Sequence, residues 1–286
     1  MTTTVGGLPP RMPKVSAPIM ARLRGLASGA RLLSGATLRN PGAIVLAYHD
    51  IGNDPENLTD YYVSAQLFRR QLEAAVRWGL KFVHLAELTD LVLAGEGVDG
   101  MAAIVFDDSL VGVHHHAMPI LLDLGLPATV FSVTARLGQS PPWWSGAARV
   151  MTEAEVMEAA KNGLHVASHT RTHASLVAVR GTELDNEVRG SKSSLEDMLG
   201  QSTDIIAYPY GHYDGNVLTA VREAGYRAGY SFLNGRILPG MDPYKLPRLN
   251  MTSDQGLGRL AYHLARSSAS WPDTQFDAVS PAGLDA

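Results

Sequence analysis

From Gly42 to about Arg266 the chain alternates short apolar or β-rich runs with longer stretches of helical periodicity, and this constrains its fold most. Ala43–Tyr48, Ala102–Phe106, Ala128–Val133, His165–Ala167, Ile205–Tyr208 and Ala228–Ser231 read as strands. Between them, Ser64–Trp78, His115–Leu124, Thr152–Lys161, Thr182–Leu199 and Asn216–Ala224 read as helices. Ser64 and Thr152 sit where N-caps belong, and Glu155 three residues after Thr152 completes a capping box, which Leu67 after Ser64 does not. Gly79, Gly125, Gly163, Gly200 and Gly225 each follow a helical stretch, as C-terminal caps do. Such strand–helix repetition predicts an α/β fold with a parallel sheet, open or closed into a barrel. Chemistry in these folds gathers at the carboxyl ends of the strands.

Composition removes several function classes. With 286 residues the chain exceeds the usual domain of about 150, but α/β barrels of roughly 250 residues form one domain. The absence of cysteine excludes a disulfide scaffold, thiolate zinc, iron–sulfur clusters and a cysteine nucleophile. A formal net charge of −4 argues against a nucleic-acid binder that relies on a basic field. No run of 18 apolar residues occurs, which excludes a spanning helix. Residues 1–41 form a basic extension, with Arg11, Lys14, Arg22, Arg24, Arg31 and Arg39 and no acidic residue. Within residues 19–33, Ile19, Leu23, Leu26, Ala30 and Leu33 recur at helical spacing. A basic amphipathic helix in peripheral contact with an anionic membrane is one reading. A helix on the outside of the domain, or a loose tail, is the favoured one, because Gly25 and Gly29 weaken the helix. Arginines interrupt every apolar stretch that would serve as an export signal, so the expectation is a cytoplasmic protein. Residues 42–266 then form the catalytic domain and residues 267–286 a C-terminal tail.

The strand ends are unusually polar. Ala102–Phe106 runs into Asp107 and Asp108, and His165–Ala167 into Ser168, His169, Thr170, Arg171, Thr172 and His173. Ala43–Tyr48 ends in His49 and Asp50, and Ile205–Tyr208 in Pro209, Tyr210 and Gly211. An i, i+4 histidine pair can present both imidazoles on one side of a turn. Taken alone, such a pair is more often the solvated start of a helix. A strand-terminal Asp-Asp elsewhere raises its weight, since one carboxylate with two neutral imidazoles suits Zn²⁺ or another borderline divalent ion. Adjacent aspartates diverge if the strand continues, so one can bind metal while the other moves protons. The competing reading is an Asp-Asp turn capping the helix after Ser109.

These segments resemble the polysaccharide deacetylases (carbohydrate esterase family 4). Phe106-Asp107-Asp108-Ser109 is similar to the first motif of that family, and His169-Thr170-Arg171-Thr172-His173 to the second. Tyr208-Pro209-Tyr210-Gly211 resembles the third. The likeness extends through Ala117–Leu121, Gly125–Phe131, Glu223–Tyr226 and Leu246–Arg248, and spans most of residues 43 to 251. It implies a distorted, incomplete (β/α) barrel. It further implies that Asp108, His169 and His173 hold a metal, usually Zn²⁺, that Asp107 is the general base, and that the backbone N–H of Tyr210 helps stabilise an oxyanion.

The sequence departs from the family pattern in three places. Ser109 replaces the glycine that usually ends the first motif, and Ala207 stands where the third motif usually has arginine. The fifth motif, Leu-x-His, is missing; Leu260-Ala261-Tyr262-His263 has the wrong spacing. A subgroup resembling the poly-N-acetylglucosamine deacetylases rotates the motif order and begins with Tyr-His on the first strand, as Tyr48-His49 does here. On that pattern His49 is expected as the general acid, with His212 next in line, and Arg248 as the substitute arginine that keeps Asp107 ionised. His114-His115-His116 falls on the helix after the first motif, where consecutive residues point apart, so a second metal site is not expected. Trp143 and Trp144 are expected either as core packing or as a sugar-stacking, substrate-binding platform. Asp54, Glu56 and Asp60 read as a solvated lid segment. The function implied is removal of an N-acetyl group from an amino sugar, on something smaller than cell-wall polymer. The alternatives are a related hydrolase acting on another acyl group or ester, and a non-catalytic carbohydrate-binding relative.

Overall fold

The computed structural model describes residues 41–54 and 59–265. The basic extension with its 19–33 segment, the C-terminal tail and Glu56 lie outside the described residues. The strands are β1 (Ile44–Tyr48), β2 (Asp50–Gly52), β3 (Tyr62–Ser64), β4 (Lys81–Phe82), β5 (Met101–Phe106), β6 (Thr129–Ser132), β7 (His165–Ser168), β8 (Ile205–Ala207), β9 (Ala228–Asn234) and β10 (Leu246–Asn250). All pairings between them are parallel, and β1, β5, β6, β7, β8, β9 and β10 close in that order into a ring, since β1 pairs with both β5 and β10. The closure is uneven. On one edge of β5, β4 pairs at Met101 and Ala102 while β6 begins only at Val105, so two strands share that edge. This is the distorted (β/α) barrel that the sequence resemblance implies.

Alternation along the strands sets what lies inside. Val45, Ala47, Ala103, Val105, Ala167, Ala207 and Ala228 form one buried cluster with Phe131 and Tyr230. Ile44, Leu46, Tyr48, Ala102, Ile104 and Phe106, the intervening positions of β1 and β5, belong to a second cluster together with helix residues. The period of two thus sends β1 and β5 side chains to opposite faces. Small residues predominate in the interior, leaving space that Phe131 and Tyr230 fill. The helices are α1 (Ala65–Arg77), α2 (Leu85–Leu93), α3 (Met118–Leu124), α4 (Glu153–Lys161), α5 (Gly181–Asp185), α6 (Ser191–Leu199), α7 (Gly215–Glu223) and α8 (Leu257–Ala265). Ser64 caps α1 by accepting from Leu67 N, and Thr152 and Glu155 make the reciprocal capping box of α4. Gly125 and Gly200 end α3 and α6 at φ 64° and 65°, a conformation that only glycine adopts without cost.

Several elements differ from the sequence expectation. Strand β10 carries Pro247 and Arg248 and has no apolar run, and β4 has only two residues. Helices α2 and α8 were not expected either. The stretch expected as one helix from Thr182 to Leu199 is divided by a π turn at Asn186–Gly190, and a second π turn at Val113–Ala117 precedes α3. Among the described residues no helix is long and apolar enough to cross a membrane.

The backbone is strained where strands hand over to loops at the carboxyl end of the barrel. Asp108, Ser109, Thr170, His173 and Tyr210 are the non-glycine residues with positive φ among those described, and all five lie in the three motifs. Each such residue costs on the order of 1–2 kcal/mol. Ser109, at φ 49° and fully buried, explains why glycine suits this position. Its hydroxyl donates to Ser132 Oγ at 3.3 Å on the neighbouring strand. Ser109→Gly relieves strain of about 1 kcal/mol and forfeits a hydrogen bond of about the same worth. The expected change in unfolding free energy by urea titration is therefore under about 1 kcal/mol, and a loss of several would show that the hydroxyl pair anchors the turn.

Candidate active site

Asp107 continues β5, and Arg248 lies on β10, two strands away around the ring with β1 between. Leu246 joins the interior cluster and Leu249 the outer one, so Arg248, even with Leu246 in the alternation, faces inward. Its guanidinium is fully buried and grips both oxygens of Asp107, at 2.6 Å (Oδ1) and 2.9 Å (Oδ2). Arg248 Nε donates to Ser231 O at 2.8 Å. That carbonyl is placed by a bulge, because β9 advances from Tyr230 to Asn234 while β10 advances only from Leu246 to Arg248. Burial pushes the Asp107 carboxyl up, but Arg248, with His169 and His49, outweighs it and holds the group below the usual carboxylate range. Asp107 is thus an anion fixed in orientation. Ala207 on β8 offers no charge here, and the cation that meets Asp107 is Arg248 on β10.

Asp108 turns the other way. Its Oδ1 lies 3.2 Å from His173 Nε2 and 3.5 Å from His169 Nε2, and it is buried without a well-formed hydrogen bond. One ligand atom from each of the three residues falls within 4.8 Å of the others. His169 Nδ1 bonds to Ala207 O at 2.9 Å; a carbonyl only accepts, so the proton is on Nδ1 and the Nε2 lone pair is free. Burial pushes His169 down to about 4, against the pull of Asp107 and Asp108, which keeps the ring neutral at pH 7. Burial raises the Asp108 carboxyl, but the two histidines outweigh that and hold it well below its usual range. The His173 ring is held by stacking on Trp143, with centroids 4.2 Å apart and planes at 15°. An orphaned carboxylate oxygen facing the Nε2 atoms of two imidazoles fits a divalent cation, and the donor set suits zinc.

These groups open onto a cleft of about 480 Å³ that is also lined by His49, Thr59, Asp60, Tyr61, Trp143, Trp144, Ser145, Tyr210 and Phe232. His49 follows β1, with Nε2 3.8 Å from Asp107 Oδ2, and its ring lies against Tyr61, Trp144 and Phe232 at 4.7, 6.0 and 5.7 Å. Burial lowers its pKa, although Asp107 and Asp108 pull the other way. Tyr210 is left-handed at φ 58° and half exposed. The next residue must be glycine, because a Cβ on Gly211 would collide with the backbone of Phe232. The two tryptophans therefore differ: Trp143 has a face on a metal-site imidazole, whereas Trp144 forms cleft wall with Tyr61 at 6.1 Å.

The remaining expectations sort by position. His212 does not line the cleft and lies 3.1 Å from Ser175 Oγ, and His263 sits on α8. His114 and His115 both reach α4, with Nε2 atoms 3.2 Å from Glu158 and 3.7 Å from Glu155. Glu155 is already satisfied there by the Arg149 fork, at 2.7 and 2.8 Å, and by Thr152. Of the expected lid, Asp60 borders the cleft and its carbonyl accepts from Ser253 N at 2.7 Å, while Asp54 N donates to Tyr62 OH. Tyr61 and Phe232 were not anticipated as site residues; the only available signal was a tyrosine pair after the His49 loop.

A family model described as polysaccharide deacetylase matches residues 94–229. The poly-beta-1,6-N-acetyl-D-glucosamine N-deacetylase of Staphylococcus aureus (strain MSSA476) is 25% identical over 209 residues, covering 70% of this chain and 71% of the relative. Among solved structures, the Streptococcus pyogenes deacetylase PplD in complex with acetate matches with TM-score 0.69 and 24% identity, over 79% of this chain and 99% of that one. IcaB from Ammonifex degensii matches with TM-score 0.68 and 22% identity, over 79% and 98%. The two solved structures share the barrel, and the family model covers the strand ends that carry Asp107, Asp108, His169 and His173. The chain is thus similar to the polysaccharide deacetylase family across residues 94–229, the stretch that carries all three motifs.

Proposed function

We propose that residues 42–266 form a metal-dependent carbohydrate N-deacetylase that releases acetate from an N-acetylated amino sugar. The observation that carries this reading is a carboxylate kept ionised by a buried arginine, beside a three-donor cluster with an unsatisfied oxygen, in one cleft. Asp108, His169 and His173 would hold the ion. When bound there, zinc supplies a Lewis acid that polarises the acyl carbonyl and acidifies water.

The protein's own groups would do the rest. Asp107 accepts a proton from the attacking water, and Arg248 keeps its carboxylate charged and oriented for that step. The backbone N–H of Tyr210 donates to the developing oxyanion. His49 gives a proton to the departing nitrogen, so that water and amide become acetate and free amine. Tyr61, Trp144 and Phe232 form an apolar wall suited to a sugar face, and they limit water around His49. Retention of base, acid and metal donors together favours turnover over carbohydrate binding alone.

Three measurements test this reading. Chelation should abolish acetate release from N-acetylated glucosamine oligomers, with recovery on adding zinc, and Asp108→Asn should lose both zinc and turnover. Acetate release that persists without metal would overturn the proposal, and formate release from an N-formyl analogue at a higher kcat/KM would reassign the acyl group. His49→Ala should lower kcat by about 10²–10⁴ with metal content unchanged, as expected for loss of a general acid. For Arg248, removing the cation leaves burial to raise the Asp107 pKa, so the base becomes protonated at higher pH. Arg248→Met should move the acid limb of the pH–rate profile upward by about 1–3 units and cost about 3–5 kcal/mol of stability. Arg248→Lys should shift it less.

A further inference from the structure

Glu187 lies in the π turn between α5 and α6, and only 5% of its surface is exposed. Among the described residues no basic side chain comes within ion-pair distance of it. Its carboxylate instead accepts from backbone and hydroxyl donors on the loop joining the two histidines. Oε2 takes Arg171 N at 3.1 Å and Thr172 N at 2.8 Å, and Oε1 takes Thr172 Oγ1 at 2.7 Å. A buried carboxyl group that accepts from consecutive N–H groups fixes their directions and hence the backbone that carries them.

That backbone is costly to hold. Thr170 and His173 have φ 66° and 68°, and neither is glycine. Without a clamp, the segment would relax toward ordinary conformations and swing the two imidazoles apart. One turn further along the same helix, Ser191 Oγ bonds to Ser168 Oγ at 2.7 Å, and Ser168 Oγ accepts from Thr170 N at 3.2 Å. Glu187 and Ser191, spaced i, i+4, therefore grip the loop on both sides of His169. The opposite side is held by Ala135 N donating to Arg171 O at 2.7 Å.

We propose that Glu187 is a positioning residue for the metal site: by clamping Arg171 and Thr172 it holds His169 and His173 where both Nε2 atoms meet Asp108, and so sets metal affinity. This rests on the metal-dependent reading given above. It assigns a buried carboxylate that the hydrolytic steps do not use.

The test is zinc affinity of the folded protein by competition with a calibrated chelator, together with the visible spectrum of the cobalt-substituted form. Glu187→Gln preserves volume but turns an amide donor toward donors, and should weaken zinc binding by about 10–100-fold, as loss of a partner behind a ligand does. Its KM should stay near the wild-type value, and its kcat should recover as free zinc is raised. Thr172→Val removes only the hydroxyl contact and should weaken binding several-fold, which keeps the test alive if the glutamate variants fold poorly. Wild-type zinc affinity and an unchanged cobalt spectrum in both variants, even with a lowered Tm, would make Glu187 a fold-stabilising residue only and overturn the proposal. A wild-type protein that binds no divalent ion would overturn the metal-dependent reading itself, an outcome separable from the first.

Discussion

The mouth of this barrel is organised around one buried ion pair. A guanidinium with no solvent access is tolerable only if its donors are used and its charge is met. Here Asp107 takes two of them and Ser231 O a third. Satisfying that demand has consequences for three strands. β10 must turn Arg248 inward, and β9 must bulge to bring a carbonyl to Nε. β5 must end so that its first aspartate points across the ring, which leaves the second to turn toward β7. The phenyl rings of Phe131 and Phe232, each 5.8 Å from the guanidinium carbon, complete the enclosure and place Phe232 in the cleft. His49, Asp107 and the aromatic wall are thus gathered around a single cation.

The second organising feature is concentrated strain. Five left-handed non-glycine residues occur within the three motifs, at the ends of β5, β7 and β8. Ordinary strand exits would send successive side chains to alternate faces and carry them past the ring centre. Left-handed turns reverse the chain at once and leave His173 and Tyr210 facing the mouth, where their rings pack 4.8 Å apart. Local hydrogen bonds offset the cost, among them His173 N donating to Thr170 Oγ1. Side chains at these positions therefore serve the turn as well as the site. Ser109 is an example: its hydroxyl reaches the next strand instead of the metal donors.

The sequence made the ring's strongest elements legible. The strands that carry Asp107, His169 and Tyr210 are apolar runs ending in polar clusters, and glycines after the intervening helical stretches mark where each helix stops. Asp108, His169 and His173 could be grouped because they fell at such ends within motifs of known order. Other parts were hidden for definite reasons. Strand β10 is Leu-Pro-Arg-Leu-Asn, where a proline and an inward arginine erase the apolar signal. Its strand character comes from neighbours on both sides, a tertiary effect that local pattern does not contain. Trp143 and Trp144 look equivalent in sequence, and only packing separates the one stacked on His173 from the one beside Tyr61. Glu187 falls within the stretch Thr182–Leu199 that reads as one helix, and the π turn that breaks this helix, where Glu187 is buried, leaves no mark in the local pattern.

Ring closure lets a cation on β10 meet a carboxylate at the end of β5. In a closed ring of parallel strands every carboxyl end borders the same mouth, so a charge need only come from a strand that points inward there. At Ala207 on β8 the interior holds a methyl group, and the adjoining carbonyl is committed to His169 Nδ1. Arg248 on β10 reaches Asp107 across β1, the strand that delivers His49. Arg248, His49 and Asp107 then come from three consecutive strands, β10, β1 and β5, while Asp108 follows the same β5 and the two histidines follow β7, two strands further around. Chain order is free to vary under this arrangement, whereas the angular order around the mouth is not. A departure from the family's linear motif pattern is therefore consistent with an intact site when the replacement residue falls at the matching place in the ring.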